Sequence, residues 1–304
     1  MSGTAASTKV WRRIGVHARE ALLRTLNPIE LRTILADVAR TRASGQTAAD
    51  LIKRWREDRL LEPSMLDPRE ALPVTAALWE TVPPEFVGVT LSQLTSLGSA
   101  IHLGGRGQNR VVTTMRGTAV LADPAHGLAL EASRRRRNGH SRVHLATHAR
   151  CTHAWDHSDD SAHELRFSLV SSAPDGGGLS TEADLLDLHL DYWREMVGKL
   201  IPRGRIELTI WDSTLAGLVE QRGTIDGTIV VEGPAADRTP WRNPYTTAAF
   251  RFVVDGEERA ELGDGGFVTW TQALTRNRKD RCLVSGISVD GVVPHTWESS
   301  DQRD

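Results

Sequence analysis

Apolar residues in the first part of the chain recur at intervals of three and four, which is typical of amphipathic helices. The stretch Asn27-Pro28-Ile29-Glu30 places a capping side chain, a first-turn proline and an acid at a helix start. A second helix is predicted to begin at Thr47 and to run through Trp55, and a third spans Arg69–Thr81. The pattern therefore predicts a helical N-terminal appendage over residues 1–84.

From about residue 86 the pattern changes to short runs of alternating or β-branched residues separated by glycine turns. Strands are predicted at Arg110–Met115, Gly117–Leu121, Arg142–Thr147, Leu165–Ser171, Arg205–Trp211, Thr228–Val231, Thr246–Val254, Gly266–Thr271 and Cys282–Val289. Helices are predicted between them at Leu128–Arg137, Thr181–Leu200 and Gln272–Asn277. This order is typical of an α+β fold, an antiparallel β-sheet flanked by helices, rather than of a wound parallel sheet. We assign the domain to residues 85–293 and a flexible tail to residues 294–304.

The composition is that of an ordinary globular protein. Of 304 residues, 39% are hydrophobic and 25% are charged, with a net charge of -2. The two cysteines, Cys151 and Cys282, are too few for a disulfide framework or a four-cysteine zinc site. No apolar run approaches the roughly 18–20 residues that span a bilayer, and the N-terminus lacks the apolar segment of a secretory signal. We therefore expect a cytoplasmic protein with no membrane partner.

Nucleic-acid binding is disfavoured by the charge pattern. The segment Gln46–Arg59 mixes acids and bases evenly, so the N-terminal helices suit packing or dimer formation better than DNA reading. The basic run Arg134–Arg137 ends a predicted helix, where positive charge favours the helix dipole, although a phosphate contact stays open. The triplet Gly176–Gly178 lacks the lysine of a phosphate loop and is predicted to be a simple loop. We expect no DNA partner.

Six histidines are grouped in the middle of the chain with one cysteine nearby. They are His140, His144, His148, His153, His157 and His163, with Cys151 among them. The spacing His148-x-x-Cys151-x-His153-x-x-x-His157 could supply zinc ligands. A strand would send alternate residues to opposite faces, however, and no H-E-x-x-H pattern occurs. No metal is predicted, and the histidines are left as solvated loop residues or as contacts to a substrate or a phosphate.

A more specific signal is an ordered series of short segments. In chain order they are Met115-Arg116-Gly117-Thr118, Ala149-Arg150, His163-Glu164-Leu165-Arg166-Phe167, Thr181-Glu182-Ala183-Asp184, Arg242-Asn243-Pro244-Tyr245-Thr246-Thr247, Gly263-Asp264-Gly265-Gly266-Phe267 and Ser285-Gly286-Ile287-Ser288-Val289-Asp290. Their order resembles the catalytic domain of class II aminoacyl-tRNA synthetases, within them the histidyl branch. That branch includes the catalytically silent paralogue that regulates ATP phosphoribosyltransferase. The resemblance covers about residues 85 to 293.

The resemblance implies a nucleotide side of the site. Arg150 matches the catalytic arginine of the second class II motif, which grips the α-phosphate of ATP. Phe167 matches the aromatic residue that stacks on adenine, and Arg166 would help to hold the same base. ATP, with or without Mg²⁺, is therefore the implied cofactor.

The resemblance also implies a pocket for a small amino or carboxylic acid. Arg116 and Thr118 resemble the family's Arg-Pro-Glu-Gly-Thr segment. Tyr245-Thr246 resembles its Tyr-Tyr-Thr-Gly strand, with Arg242 near the second catalytic arginine. The pair Gly265-Gly266 resembles the glycines that let a strand approach the substrate closely.

Three departures from the family pattern leave two functions open. The Pro-Glu between Arg116 and Gly117 is missing, Thr152 stands where the second motif has a glutamate, and Asp290 stands where the third motif has an arginine. The first function is a stand-alone ligase that activates a small acid as an acyl-adenylate and transfers it to a small molecule, a carrier protein or tRNA. The alternative is a catalytically silent paralogue that acts as an amino-acid sensor or regulatory subunit. In both cases we expect a homodimer.

Overall fold

The computed structural model describes residues 5–105, 108, 111–154, 162–231, 244–255 and 259–296. The helices are α1 (Ala5–Ile14), α2 (Val16–Glu20), α3 (Pro28–Ser44), α4 (Ala48–Glu57), α5 (Pro68–Glu80), α6 (Ser99–His102), α7 (Pro124–Arg137), α8 (Ser180–Leu200), α9 (Ser213–Arg222), α10 (Trp270–Thr275) and α11 (Val289–Val292). The strands are β1 (Val87–Gly88), β2 (Leu94–Ser96), β3 (Thr118–Val120), β4 (Val143–Thr152), β5 (His163–Pro174), β6 (Gly204–Ile210), β7 (Ile229–Val231), β8 (Ala248–Val254), β9 (Ala260–Val268) and β10 (Asp280–Ser288).

Eight of these strands form one central sheet in the order β1-β4-β5-β10-β9-β8-β6-β7. All pairs from β4 to β6 are antiparallel, which confirms the predicted α+β class. The edge pairs β1–β4 and β6–β7 are parallel, so the sheet is mixed. Parallel neighbours need a crossover connection, and α9 supplies it between β6 and β7.

One face of the sheet is covered by the long helix α8. Successive side chains of a strand point to opposite faces, so the odd-numbered residues of β5 point towards α8. Phe167 and Leu169 are fully buried there against Trp193 and Leu190 of the helix. This layer forms the main hydrophobic core.

The opposite face is covered in part by α7. Leu128, Ala129 and Ala132 of this helix pack on Leu145 of β4 and Val170 of β5. The start of this helix also lines a pocket on the same face. Even-numbered residues of β5, from Arg166 onwards, point to this side.

The N-terminal helices begin where their capping residues predict. The Asn27 side chain accepts hydrogen bonds from the backbone of Ile29 and Glu30, and Thr47 caps α4 in the same way through Asp50. Helices α3 and α4 contain no buried residue. By contrast, α5 packs on the main core, where the Tyr192 hydroxyl donates to the carbonyl of Leu78.

Several segments differ from the pattern-based prediction. Within the predicted strand Arg110–Met115, Thr113 makes only an isolated bridge to Ala119. Helix α9, which is capped by Asp212, is not predicted at all. Strand β9 begins at Ala260, earlier than predicted, and the tail beyond residue 296 lies outside the described residues. Among the helices described, none combines the length and the apolar character needed to cross a membrane.

Candidate functional site

A pocket opens on the α7 side of the sheet, over the middle of β5, β10 and β9. Its volume is about 90 Å³. The lining combines sheet residues with residues from the start of α7 and from the segment before β8. It includes Asp123, His126, Arg166, Ser168, Pro244, Tyr245, Asp264, Trp270, Val284 and Gly286.

Glycines in adjacent strands make room for this pocket. A Cβ atom on Gly286 would lie 2.7 Å from the Ser168 hydroxyl and 2.9 Å from the Phe167 carbonyl. A Cβ atom on Gly266 would lie 2.7 Å from the Tyr245 ring. Real Cβ atoms do not approach this closely, so only glycine leaves room for the Tyr245 ring at this position.

Arg166 is the cation of the pocket. It donates to Glu164 at 3.2 Å and lies 3.9 Å from Asp264. Burial alone would lower its pKa, but the carboxylates of Glu164, Asp123 and Asp264 raise it above the ordinary value, so the guanidinium is charged. Its Nε atom has no hydrogen-bond partner within the described residues.

Two carboxylates face this guanidinium. Asp264 accepts a hydrogen bond from the Tyr245 hydroxyl, and Asp123 caps α7 by accepting from Ala125 at 2.9 Å. Burial, together with the negative charges of Asp264 and Asp123, raises the pKa of Tyr245 well above its ordinary value. The phenol is therefore neutral and donates a hydrogen bond to Asp264. The pocket thus presents one positive and two negative groups to a ligand.

The two residues that the resemblance assigns to ATP lie on the other face of the sheet. Arg150 contacts His163 at 3.1 Å and forms an ion pair with Asp290 at 3.6 Å. Phe167 has no exposed surface, and its ring lies 5.1 Å from that of Trp79 in the main core. A shift of one residue along a strand reverses the face. Arg166, one position before Phe167, is the nucleotide-side candidate that reaches the pocket.

The remaining predicted residues are divided between the pocket and other places. Tyr245 lines the pocket, and the neighbouring Thr246 bonds through its backbone to the Phe267 carbonyl at 2.8 Å. Gly265 faces the Phe250 ring on the core side. Arg116 is exposed and Thr118 bonds to Thr114, and neither lines the pocket, whereas Arg242 lies outside the described residues.

The grouped histidines also separate by strand face. His144 bonds to Ser171 and His148 accepts from Trp79, both on the α8 side. His163 reaches the Glu62 carbonyl at 2.7 Å, and His153 reaches Glu164 at 3.0 Å on the pocket side. His140 is exposed, and His157 lies outside the described residues.

Several lining residues were not singled out by the sequence analysis. Asp123, His126, Ser168, Asp264 and Gly286 belong to this group. Asp123 could have been found as an Asp-Pro helix start, which brings a carboxylate to a helix end. Asp264 and Gly286 occur in the quoted segments, but their role depends on strand pairing, since Gly286 pairs with both Ser168 and Asp264.

No family model and no curated protein matches this chain. Its structure is similar to a histidine–tRNA ligase subunit from Alicyclobacillus acidocaldarius, with a TM-score of 0.58 and 12% identity over 79% of this chain and 98% of that one. It is also similar to an ATP phosphoribosyltransferase regulatory subunit/histidyl-tRNA synthetase from Bacillus halodurans C, with a TM-score of 0.56 and 9% identity over 78% and 84% of the two chains. A third similar structure is apo histidyl-tRNA synthetase from S. aureus, with a TM-score of 0.55 and 10% identity over 78% of this chain and 67% of that one.

These similarities define the class of fold. The chain has the fold of class II synthetase-like domains, as the ordered segments predicted. At identities of 9–12% the likeness concerns the fold, and the function has to be argued from the pocket.

Proposed function

We propose that this class II synthetase-like protein binds a small free amino acid in the pocket and acts as an amino-acid sensor or regulatory subunit. The observation that carries the proposal is the arrangement of charge. Arg166 supplies a guanidinium with an unpartnered Nε for a carboxylate, and Asp123 and Asp264 supply negative charge for an ammonium group. Charge-assisted hydrogen bonds of this kind are the strong ones in recognition.

The described lining does not suit ATP. Two carboxylates accompany its one guanidinium, whereas a triphosphate needs several cations. The volume of about 90 Å³ is also below the roughly 300–1,000 Å³ of pockets for drug-sized ligands. Asp290, which stands where the family has an arginine, is paired with Arg150 and accepts from the Leu165 backbone at 2.8 Å on the other face. These features favour the catalytically silent alternative.

An acyl-adenylate-forming ligase is the second candidate, because Arg166 places a buried positive charge next to the amino-acid pocket. Its acceptor would be a small molecule, a carrier protein or tRNA. ATP-dependent pyrophosphate exchange, measured with each proteinogenic amino acid, distinguishes the two. The sensor proposal expects no exchange, and exchange above background would favour the ligase.

Binding itself is tested by titrating each proteinogenic amino acid into the protein by calorimetry, with the variants Arg166→Met and Arg150→Met as a matched pair. Loss of a hydrogen bond to a charged group costs about 1.5–3 kcal/mol, so Arg166→Met is expected to weaken binding about 10- to 150-fold. Arg150→Met should leave binding unchanged, because its side chain lies on the opposite face. Absence of binding by every amino acid, or equal losses in both variants, would overturn the proposal.

The assembly and location belong to the same proposal. We propose a cytoplasmic homodimer that has a protein partner and no DNA or membrane partner. Sedimentation equilibrium of the full chain tests the dimer, and a mass equal to one chain at micromolar concentration would contradict it. Co-purification with and without the bound amino acid tests the regulatory partner.

A further inference from the structure

At the end of the β4–β5 hairpin, three potential metal ligands gather on the pocket side of the sheet. Cys151 and Glu164 are direct partners in the antiparallel register, and His153 follows Cys151 by two positions. The Cys151 thiol lies 4.0 Å from Nε2 of His153 and 4.0 Å from Oε1 of Glu164. The remaining edge, from His153 Nε2 to Glu164 Oε1, measures 3.0 Å.

These distances approach those of a tetrahedral zinc site. Zinc lies about 2.3 Å from a thiolate and about 2.0–2.2 Å from imidazole nitrogen and carboxylate oxygen, so ligand atoms in a tetrahedron are separated by roughly 3.3–3.6 Å. Each observed edge is within about 0.5 Å of that range. Each separation therefore has to change by less than about 0.5 Å to reach tetrahedral geometry.

The charges of the cluster also suit a divalent cation. A thiolate from Cys151 and the carboxylate of Glu164 together neutralise the two positive charges of the ion. The neighbouring Arg166 has other negative partners, because Asp264 lies 3.9 Å away and Asp123 also acts on its charge. Cation binding therefore does not leave this guanidinium without a counterion.

Two of the three ligand side chains are partly exposed. Cys151 is fully buried and carries no disulfide. The side chains of His153 and Glu164 remain 14% and 20% exposed, so an ion can enter from solvent.

We propose that Cys151, His153 and Glu164 form a mononuclear Zn²⁺ site with a fourth position open to water. On binding, the Cys151 thiol releases its proton to solvent and the sulfur bonds to the metal as thiolate. The hydrogen bond between His153 and Glu164 is replaced by two metal–ligand bonds. The ligands of this site lie beside the pocket and are not part of its lining, although Glu164 also pairs with Arg166 of the pocket at 3.2 Å.

The test is titration of the full-length, metal-free protein with Co²⁺, followed by displacement with Zn²⁺. We expect one equivalent per chain, with a thiolate-to-cobalt charge-transfer band and the intense visible bands of tetrahedral cobalt. Cys151→Ala should abolish the charge-transfer band. The matched control Cys282→Ala removes the other buried thiol and should retain it.

Histidine variants form a second matched pair that is less demanding on folding. His153→Asn should weaken Zn²⁺ binding about 10-fold or more, whereas His148→Asn, in β4 and on the α8 side of the sheet, should not change it. No cobalt charge-transfer band in the folded wild-type protein would overturn the proposal. A band that survives Cys151→Ala, or equal losses in the two histidine variants, would do the same. All of these measurements are made without amino acid, so their failure is distinct from failure of the sensor proposal.

Discussion

Arg166 and Phe167 are consecutive residues of β5, yet they belong to two regions with opposite physical character. Phe167 lies on the face that packs against α8, where it has no exposed surface. Arg166 lies on the face that holds the pocket, where its guanidinium is 3.9 Å from the carboxylate of Asp264. One face gains stability from packing, and the other keeps charged groups whose interactions a ligand can complete.

On the side of the sheet that packs against α8, the packed face, buried polar side chains are hydrogen-bonded to one another. Ser171 lies 2.8 Å from Nε2 of His189, and Ser285 lies 2.8 Å from Nδ1 of the same ring. Trp193 of α8 donates to Ser285 at 2.8 Å. These buried groups therefore satisfy one another, as a packed interior requires. On the pocket face, by comparison, the Nε atom of Arg166 has no hydrogen-bond partner within the described residues.

The largest expected effect comes from truncating the packed face. Phe167→Ala should lower the free energy of unfolding by about 3–5 kcal/mol, because it removes a fully buried ring and leaves a cavity. Urea denaturation followed by tryptophan fluorescence measures this loss. The control Leu72→Ala changes an apolar residue of α5 that is 65% exposed, and it should alter stability by less than about 0.5 kcal/mol. A loss below about 1 kcal/mol for Phe167→Ala would indicate that the ring is exposed, and it would contradict the assignment of Phe167 to the core on the α8 side.

A smaller effect is expected on the pocket face. Gly266→Ala places a Cβ atom 2.7 Å from the Tyr245 ring and 2.7 Å from the Ala248 carbonyl, so the ring has to shift from the position in which it bonds to Asp264. We expect a loss of about 1–3 kcal/mol in unfolding free energy together with loss of amino-acid binding. Gly198→Ala in α8 meets no atom within 4 Å and should instead add up to about 1 kcal/mol. Calorimetry that finds amino-acid binding lost in Gly266→Ala alone would support a binding role for the pocket side of the sheet. Equal binding by both variants would contradict it.

The smallest effect is a pH dependence of the packed face. Burial, aided by repulsion from His144, lowers the pKa of His189 from 6.5 to about 3. Below pH 6.5 the unfolded chain therefore takes up a proton that the folded protein does not, and stability falls as pH falls through this window. The slope contributed by His189 approaches about 1.4 kcal/mol per pH unit.

His189→Gln should remove that slope when urea unfolding is compared at pH 6.5, 6.0, 5.5 and 5.0. These pH values lie between the ordinary pKa of 6.5 and the lowered pKa of about 3. Carboxylates with lowered pKa values, such as Glu131, lose their contribution mainly below this range. The pKa of His144 is also lowered by burial, and its contribution persists in the variant. Equal slopes for wild type and His189→Gln would show that this ring is not held neutral by the packed face.

Features encoded within a few residues were predictable from the sequence. The capping pair Asn27 and Glu30 forms as its spacing predicts, with the Asn27 backbone donating to Glu30 at 2.9 Å. The order of segments also led to the correct fold class. Helix α9 was missed, although Asp212 and Gly223 mark its two ends with ordinary capping residues.

Features that depend on strand facing were not predictable in the same way. Arg150 and Phe167 match the family motifs in residue type and order, but both side chains point away from the pocket. Cys151 and Glu164 are neighbours because of the β4–β5 register. The spacing of cysteines and histidines along the chain does not indicate the glutamate. Asp123 and Asp264 are more than a hundred positions apart, and no local pattern relates them.

Local sequence patterns were enough to predict most of the longer helices and strands, the start of the capped helices α3 and α4, and the general α+β class. These properties follow from interactions between residues close together in the chain. The three-dimensional structure was needed to show which side of each strand meets α8, which charges converge around Tyr245, and that a buried thiol lies next to a histidine and a carboxylate. The physical reason is that side chains alternate between the two faces of a sheet, so a one-residue difference in register exchanges the core for the pocket.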